Sequence, residues 1–418
     1  MTVTTEPPAF PMRRTCPFNP PPQYAEMRET GAPTRVTLAG GGTAWLITRY
    51  EDVKAVLMDP RLSSDRTRPG YPFLTDDAAY LAEVRVFPGM DSPDHQHYRR
   101  MFIKEFTARR IRELRPEVER IVAERLDTME RAGGPVDLVT ALALPVPSLV
   151  IARLLGVPEA DRPRFLELTE LLLTGRAVPA EGQSADEAEA AAQERGQEAF
   201  RELLRFMREL VKAKRAEPTE DLLGRVAAEH VASGALDEWE LVITAMLLLF
   251  AGYETTANMI ALGTAALLSH PDQLALLKDS LAHDDGAILP SAVEELLRHL
   301  SIAELATART ALEDMEVGGV LIRAGEGVIP LAAAANRDPA AFADADRLDL
   351  RRTPNRHFAF GHGAHQCLAQ TLARMELEVV FGALFRRFPD LRLAVPLDEV
   401  PFAYDAVLHG AYALPVTW

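Results

Sequence analysis

The sequence predicts a mainly α fold with a small β region. Apolar residues recur at spacings of three and four over several long segments, which is the periodicity of amphipathic and buried helices. Two shorter runs of β-prone residues are punctuated by glycines instead. The 418 residues are 48% hydrophobic and 25% charged, enough to bury a large core, and no linker-like stretch divides them. We therefore expect one domain over residues 1–418, with about residues 1–15 flexible.

The β-prone runs predict two hairpins. In residues 35–48 the runs VTL and WLI flank the triplet GGG, and in residues 317–329 Gly318, Gly319 and Gly325 mark turns. The helical spacing occupies the remaining long segments: residues 109–130, 147–155, 198–214, 237–268, 291–300 and 367–388. Residues 174–196 differ, being rich in Ala, Glu, Gln and Gly. They indicate either a solvated surface helix or loop, or a mobile lid over a ligand site.

Charge and targeting features exclude several classes of function. The net charge of −16 opposes binding to phosphate backbones and to anionic membrane surfaces, so we expect no nucleic acid and no membrane. The N-terminus has no apolar stretch of signal-peptide length, and the apolar run 241–252 is too short to span a bilayer. With only Cys16 and Cys367, no disulfide framework is expected, which favours a reducing cytoplasm. Cys16, in a Pro-rich segment, is interpreted as incidental.

Cys367 follows a glycine-punctuated loop, FGHGAHQC, and precedes a helical pattern. Glycines permit the tight turns that point several N–H groups inward, and a helix N-terminus stabilises a thiolate by lowering the pKa of the thiol. A thiolate is a strong ligand for iron. From the residues alone two other interpretations remain: a small buried hydrophobe, or a zinc site formed by His362, His365 and Cys367.

The segment 237–268 carries polar groups in its apolar centre. A capping box of Asp237 and Glu240 predicts its start, and His270-Pro271 predicts its end. The central sequence AGYETT places a hydroxyl where it can compete for a carbonyl four residues back, Thr255 for Ala251. A packing kink is one interpretation. Because a carboxylate in an apolar run is costly unless it is used, Glu254 favours a functional one.

These motifs resemble those of the cytochrome P-450 superfamily. Residues 360–367 resemble its cysteine-ligand loop FGxGxHxCxG, with a departure at Ala369 where the pattern has Gly. The segment AGYET resembles the AGxET motif of the oxygen-binding helix, and Glu295 with Arg298 resembles the ExxR motif, although such a pair alone is also common on surfaces. The resemblance covers nearly the whole chain, from about Cys16 to Trp418. It is greatest to soluble actinomycete members.

The resemblance implies a haem b cofactor, a single helical prism and a long central oxygen-binding helix. Cys367 would be the iron ligand, with Phe360, Gly361 and Ala251 against the haem. Residues that the resemblance places on the haem propionates are His95, Arg99, Arg309 and His365, although each Arg alone could be merely solvated. Glu295 and Arg298 would form a buried pair that a downstream Arg locks. The nearest candidate for that Arg is Arg347, which lacks the usual flanking Pro and Phe.

The implied activity is that of a haem-thiolate monooxygenase, which inserts one atom of O2 by hydroxylation or epoxidation. Thr255 would hold dioxygen and a water, and Glu254 would feed protons from solvent. The substrate would be an apolar polyketide or macrolide, terpenoid or sterol-like compound. Pocket positions implied by the resemblance are Leu248, Ala251, residues 71–87, Leu305 and Ala306, Val407 and Leu408. Glu304 and His409 are candidate polar anchors.

Electrons are expected from other proteins, because no Gly-rich dinucleotide fingerprint follows a predicted strand. We expect a ferredoxin and an NAD(P)H-dependent ferredoxin reductase as partners of a monomeric enzyme. The candidate docking face is basic: Arg99, Arg100, Lys104, Arg109, Arg110 and Arg112. Two other classes stay open. A peroxide-using or gas-binding haem protein would not need the Glu254 and Thr255 pair, and a non-haem helical scaffold would leave the cysteine loop unexplained.

Overall fold

The computed structural model describes residues 6–74, 86–173, 185–303, 307–404 and 408–418. Most of these residues are helical, as predicted. The α-helices are α1 (Gln23–Glu29), α2 (Tyr50–Met58), α3 (Asp94–Ile103), α4 (Ala108–Ala132), α5 (Pro145–Leu155), α6 (Arg162–Leu173), α7 (Ala185–Ala216), α8 (Leu222–Val226), α9 (Glu238–Ser269), α10 (Pro271–His283), α11 (Leu289–Leu300), α12 (Ala332–Ala335) and α13 (Gln370–Arg387).

The strands in the described ranges are short and form three small sheets. They are β1 (Ala9–Phe10), β2 (Thr34–Leu38), β3 (Thr43–Ile47), β4 (Leu62–Ser63), β5 (Val136–Asp137), β6 (Arg309–Ala311), β7 (Met315–Val317), β8 (Val320–Ile322), β9 (Gly327–Pro330), β10 (Arg392–Leu393) and β11 (Pro415–Thr417). Among the described residues, the largest sheet has the order β1-β2-β3-β9-β6-β4, the second has the order β10-β11-β5, and β7 pairs with β8.

Both predicted hairpin turns are found, but the second hairpin is shorter than predicted. Strands β2 and β3 pair antiparallel around Gly41 and Gly42, whose φ angles of 87° and 80° suit glycine. Gly318 and Gly319 turn β7 into β8 in the same way. After Gly325 the chain does not return to β8. Strand β9 instead pairs parallel with β3 and antiparallel with β6, so it belongs to the main sheet.

Contacts between Cα atoms divide the chain into two compact units. The first consists of residues 1–100, 258–389 and 401–411, and it contains the main sheet with α10, α11 and α13. Its apolar core packs β-strand residues such as Leu46 and Val328 against helices. The second consists of residues 101–257, 390–400 and 412–418, and it contains α4 to α8 with the sheet β10-β11-β5. Helix α9 carries residues of both units.

The expectation of a flexible N-terminus is wrong for part of the segment. Strand β1 pairs parallel with β2, and the side chain of Phe10 is only 1% exposed. The guanidinium-bearing side chain of Arg14 is also buried. Residues 1–5 lie outside the described part. An apolar side chain in a Pro-rich segment carries no periodic signal, so its burial depends on contacts that are distant in sequence.

Two predictions concern apolar or atypical helices. In α9, Asp237 Oδ1 accepts from Trp239 N at 2.7 Å and Glu240 Oε2 accepts from Asp237 N at 2.9 Å, which confirms the capping box. This helix is long and apolar enough to cross a bilayer, but most of its apolar stretch is buried inside the protein, as in a core helix. Of the proposed lid, residues 174–184 lie outside the described part, and residues 185–196 are helical in α7.

Candidate active site

The cysteine loop is shaped by two glycines with left-handed backbone. Gly361 and Gly363 have φ angles of 69° and 74°. A Cβ on Gly363 would lie 2.7 Å from the carbonyl oxygen of Leu57, so both conformation and space require glycine there. The loop closes through a hydrogen bond from Cys367 N to Phe360 O at 2.8 Å. Cys367 is thereby held three residues before α13 begins.

Ala369 replaces the last glycine of the motif without visible strain. Its φ and ψ angles are −93° and 12°, in a region that any L-residue reaches. The main-chain hydrogen bond from Ala373 N to Ala369 O at 3.0 Å starts the helix normally. The departure from the family pattern therefore leaves the loop geometry intact.

The electrostatics of Cys367 differ from the prediction. Burial raises the pKa of the thiol, while the N–H groups of Ala369 and Gln370 and the charges of Arg99 and Arg374 act to lower it. The helix N-terminus thus has the predicted sign, but burial outweighs it in the polypeptide alone. A coordinated metal ion deprotonates a thiol outright, which reverses this balance. No group of three or more His, Cys, Asp or Glu in the described ranges could hold a metal, so the zinc interpretation gains no support.

Phe360 is fixed by a charged partner beneath its ring. The guanidinium carbon of Arg374 lies 4.5 Å from the ring centroid, a cation–π contact. Arg374 Nε in turn donates to Glu294 Oε1 at 2.5 Å, and the other oxygen, Oε2, is 3.2 Å from His357 Nε2. Burial alone would raise the pKa of Glu294, but these two partners lower it to about 2. Glu294 therefore stays ionised and fixes Arg374, which in turn fixes the ring of Phe360 in the loop.

Two histidines and two arginines of the first unit gather beside the loop, as the family resemblance implies. The rings of His95 and His365 stack with centroids 3.9 Å apart, and Ser64 Oγ lies 3.1 Å from His365 Nε2. Arg309 is 5% exposed and donates to Ala308 O, and Arg99 donates to Gln366 O at 2.6 Å. Neither guanidinium has a carboxylate within ion-pair distance among the described residues.

The electrostatics of this cluster favour an anionic ligand. Both ring nitrogens of His95 and Nδ1 of His365 are buried without a hydrogen-bond partner among the described residues. Burial first, then the charges of Arg99 and Arg309, lower the pKa of His95 to about 4, and a similar combination lowers that of His365 to about 3. Buried polar atoms without partners are costly, so the site is suited to a bound group that brings acceptors and negative charge. Carboxylates such as haem propionates fit this description.

The ExxR pair is fully buried and its third partner is not the predicted one. Arg298 Nε donates to Glu295 Oε2 at 2.7 Å, and both side chains are 0% exposed. Arg352 Nε lies 3.1 Å from both oxygens of Glu295. Arg347 is exposed and contributes only its carbonyl oxygen, which accepts from both arginines. The prediction of Arg347 as the locking residue is wrong, because spacing alone cannot choose among arginines in an irregular segment.

Substitution of Arg352 tests this correction. We expect Arg352→Ala to lower the free energy of unfolding by about 1–3 kcal/mol, because a hydrogen-bonded charge on buried Glu295 is left less satisfied. Arg347→Ala keeps its carbonyl and should change stability by less than about 0.5 kcal/mol. Chemical denaturation of the two holo variants measures the difference. Equal losses, or a larger loss for Arg347→Ala, would show that the side chain of Arg352 is not the third partner.

The centre of α9, in the second unit, shows the predicted local break. Thr255 Oγ1 donates to Ala251 O at 2.7 Å, the competition expected from the sequence. A Cβ on Gly252 would lie 2.7 Å from Ile151 Cδ1, so the small residue permits close packing of α5. Glu254 is half-buried, and burial raises the pKa of its carboxyl group. A carboxyl group with a raised pKa exchanges protons more readily near neutral pH.

Part of the predicted substrate pocket can be located. Leu248 is buried in α9, and Leu408 is half-buried and forms an isolated bridge with Ala303. Leu305, Ala306, Glu304, Val407 and most of residues 71–87 lie outside the described residues. His409 is buried, and its Nε2 lies 2.7 Å from Pro17 O. This partner, which the sequence did not indicate, replaces the predicted role of that nitrogen as a free polar anchor.

The predicted basic docking residues are partly neutralised. Arg100 and Arg112 are exposed and have no ion pair in the described part of the chain, so they remain available to a partner. Arg99 is committed to Gln366. The other three are ion-paired: Lys104 with Glu229 (2.7 Å), Arg109 with Glu113 (3.5 Å) and Arg110 with Glu105 (3.6 Å). The local excess of positive charge is smaller than the sequence indicates.

The fold, the cysteine loop and the buried ExxR pair define a class of protein. Residues 19–401 match the profile of the cytochrome P-450 family. The chain belongs to this family, whose cofactor is haem b, and it is a haem-thiolate monooxygenase. The thiol of Cys367 and the unpartnered nitrogens of His95 and His365 fit that cofactor.

Individual relatives cover almost all of the chain. It is 46% identical over 417 residues to a vitamin D3 dihydroxylase of Streptomyces griseolus. That alignment covers 99% of this chain and 98% of the relative. Identity to pentalenic acid synthase of Streptomyces avermitilis is 45%, covering 100% and 99%. The crystal structure of GfsF, a cytochrome P-450 of Streptomyces halstedii, aligns with a TM-score of 0.89 at 44% identity and covers 98% of this chain and 100% of its own. These comparisons confirm the predicted family, the fold class and the activity.

Proposed function

We propose that this monooxygenase oxidises an apolar secondary metabolite of the polyketide, macrolide, terpenoid or sterol-like class. The names of its relatives support this range: one acts on vitamin D3, another makes pentalenic acid, and two solved structures contain filipin I and mycinamicin VIII. The apolar side chain of Leu248 on α9 agrees with an apolar ligand. Hydroxylation or epoxidation of such a compound is the reaction.

The observation that carries the reaction chemistry is the hydrogen bond inside α9. The hydroxyl proton of Thr255 is committed to Ala251 O, so the lone pairs of Thr255 Oγ1 remain as acceptors. A hydroxyl of this kind orients a water or another donor beside the reacting oxygen. Glu254, one residue earlier, has a carboxyl group that burial makes easier to protonate. Thr255 therefore holds the proton-donating group in place. Glu254 passes protons from solvent to that group after it has given up its own proton.

The loop and the histidine cluster have separate roles in holding the cofactor. Haem supplies, when bound, the iron centre at which O2 is reduced and activated. Cys367 supplies the thiolate ligand, and Phe360 and Gly361 shape the surface next to it. His95, Arg99, Arg309 and His365 neutralise and hydrogen-bond the propionates. Ala251, a small residue on α9, would contact the haem, as the family resemblance implies.

The electron donors are a ferredoxin and its NAD(P)H-dependent reductase. The absence of a dinucleotide fingerprint from the sequence supports external electron delivery, and exposed Arg100 and Arg112 favour an acidic protein partner. The enzyme works as a monomer with a single domain. Its compartment is the cytoplasm, which agrees with the lack of a disulfide framework in the sequence.

Two measurements test these proposals. Titration of the oxidised holoenzyme with macrolides, terpenoids and steroids should give a saturable Soret shift with at least one class, because an apolar ligand displaces water from the site. Polar sugars and nucleotides are the control ligands. A response only to the controls would contradict the apolar substrate class.

Electron transfer from an acidic ferredoxin should slow as ionic strength rises, because salt screens the attraction between the partners. Arg112→Ala should reduce both the rate at low salt and its salt dependence. Ion-paired Arg109→Ala is the matched control and should do so less. A rate that is indifferent to salt would exclude charge-steered docking.

A further inference from the structure

Residues 14–19, here called the N-terminal strap, are held by buried polar groups. Arg14 is 5% exposed and donates to Ser301 O at 3.2 Å. Phe18 O accepts from Arg337 NH2 at 2.9 Å, and the side chain of Arg337 is 2% exposed. Buried cations that bond main-chain oxygens hold those oxygens in place, because moving them would leave a charge unsatisfied. The strap is therefore a fixed part of the first unit.

The same two arginines cap the C-terminus of helix α11. Arg337 donates to His299 O at 2.8 Å, and Arg14 reaches Leu300 O and Ser301 O. Carbonyl groups at a helix C-terminus lack intrahelical donors, and cationic side chains satisfy them. Ser301 has a left-handed φ of 42°, so the chain turns sharply here before Ile302. The strap thus helps to determine the direction in which the chain leaves the helix at Ile302.

A second link joins the strap to residues 408–410 near the C-terminus. His409 Nε2 donates to Pro17 O at 2.7 Å, and the main-chain N–H of His409 donates to Ile302 O at 3.0 Å. Ala303 forms a bridge with Leu408. His409 therefore links the strap, through its imidazole, to Ile302, through its main chain.

Aromatic packing supports the same connection. The ring of Phe18 makes edge contacts with Phe402 and His270, at centroid distances of 6.3 and 6.1 Å. The ring of Tyr404 stacks with that of His409 at 6.1 Å. Gly410 follows immediately, and a Cβ there would lie 2.0 Å from Asn258 Oδ1 on α9. Gly410 is therefore packed closely against α9, and Phe402 contacts the strap.

We propose that the N-terminal strap is a remote specificity determinant, in which Arg14 and His409 are positioning residues. It sets the positions of Ala303 and Leu408, which form a bridge, without touching substrate. This inference rests on the proposed function together with the pocket implied by the family resemblance, to which Leu408 belongs. The strap acts on both residues at once because Arg14 holds Ser301 O and His409 holds Pro17 O.

Four variants of the full-length holoenzyme test the proposal. Arg14→Met and His409→Leu remove the hydrogen-bond donors while retaining most of the side-chain volume. Arg13→Met is the matched control, because Arg13 is exposed and adjacent in the same segment. His409→Gln is the conservative variant, since its amide nitrogen can donate to Pro17 O. The probe is whichever apolar compound gives the Soret shift with wild-type protein.

Loss of one such hydrogen bond should raise the spectral dissociation constant of that compound by about three- to ten-fold in Arg14→Met and His409→Leu. The ratio of its oxidation products should change in both, because the reacting carbon is presented differently. Arg13→Met should match wild type, and His409→Gln should lie closer to wild type than His409→Leu. The Soret band of the reduced, carbon-monoxide-treated protein should be the same in all four.

Either of two results would overturn the inference. If binding and product ratio stay at wild-type values in Arg14→Met and His409→Leu, the strap does not position Ala303 and Leu408 toward the substrate. Loss of haem from both variants would show a general structural role instead. Failure of the proposed function is visible separately, because it appears in the wild-type titration before any variant is compared.

Discussion

Replacing Cys367 with serine is expected to abolish monooxygenase turnover. The hydroxyl of serine is not ionised at neutral pH, so the iron would lose the anionic ligand that favours O–O cleavage. The direct measurement is the spectrum of the reduced, carbon-monoxide-treated protein, in which the strongly red-shifted Soret band of thiolate ligation should disappear. Substrate oxidation should fall below detection in the same preparation.

Cys16→Ser is the matched control for this variant. Cys16 is the other free cysteine and lies outside the loop, so the thiolate Soret band and turnover should both persist. Haem uptake with an unchanged red-shifted band in Cys367→Ser would contradict the assignment of the ligand. The same band lost in Cys16→Ser would contradict it equally.

Thr255→Ala is expected to separate electron consumption from product formation. Without Oγ1, the proton-donating group beside the reacting oxygen is no longer held, so reduced oxygen leaves as hydrogen peroxide. Proton transfer through a positioned group contributes about 10²–10⁴-fold to a rate, and we expect product formation to fall by about 10²-fold. Consumption of NAD(P)H should continue, with peroxide accounting for the difference. The spectral dissociation constant of substrate should change little.

Two further variants isolate the hydroxyl from its effect on the helix. Thr244→Ala removes an equivalent hydrogen bond in the same helix, from Thr244 Oγ1 to Glu240 O at 2.8 Å, and should keep wild-type coupling. Thr255→Ser retains the hydroxyl and should recover most of the product. Coupling that is unchanged in Thr255→Ala would reject the proton-delivery role. Equal uncoupling in Thr244→Ala would assign the effect to helix geometry.

Features that depend on near neighbours in the chain could be predicted from the sequence. The capping box of Asp237, the hydrogen bond of Thr255 and the glycine turns before Cys367 each involve residues within a few positions of one another. Helical periodicity also located the long helices, because their apolar stripes repeat over several turns. The family motifs then identified haem as the cofactor, which no single residue could have done.

Features that depend on distant segments could not be predicted. Arg352 reaches Glu295 from 57 residues away, out of a stretch without regular structure, and nothing in the local sequence separates it from Arg347. His409 bonds Pro17 across 392 residues. The direction of the pKa of Cys367 depends on how deeply the loop is buried, which only the packed structure contains. In each case the deciding term is burial or a long-range partner.

Three imidazole nitrogens beside the cysteine loop have no hydrogen-bond partner among the described residues, and this bears on the stability of the protein before haem is bound. The polypeptide alone bears the cost of those buried nitrogens and of two guanidiniums that have no carboxylate partner in the described ranges. A ligand that binds only the folded form stabilises it by mass action. The haem-free protein should therefore melt at a lower temperature than the holoenzyme, and supplying haem should recover the difference.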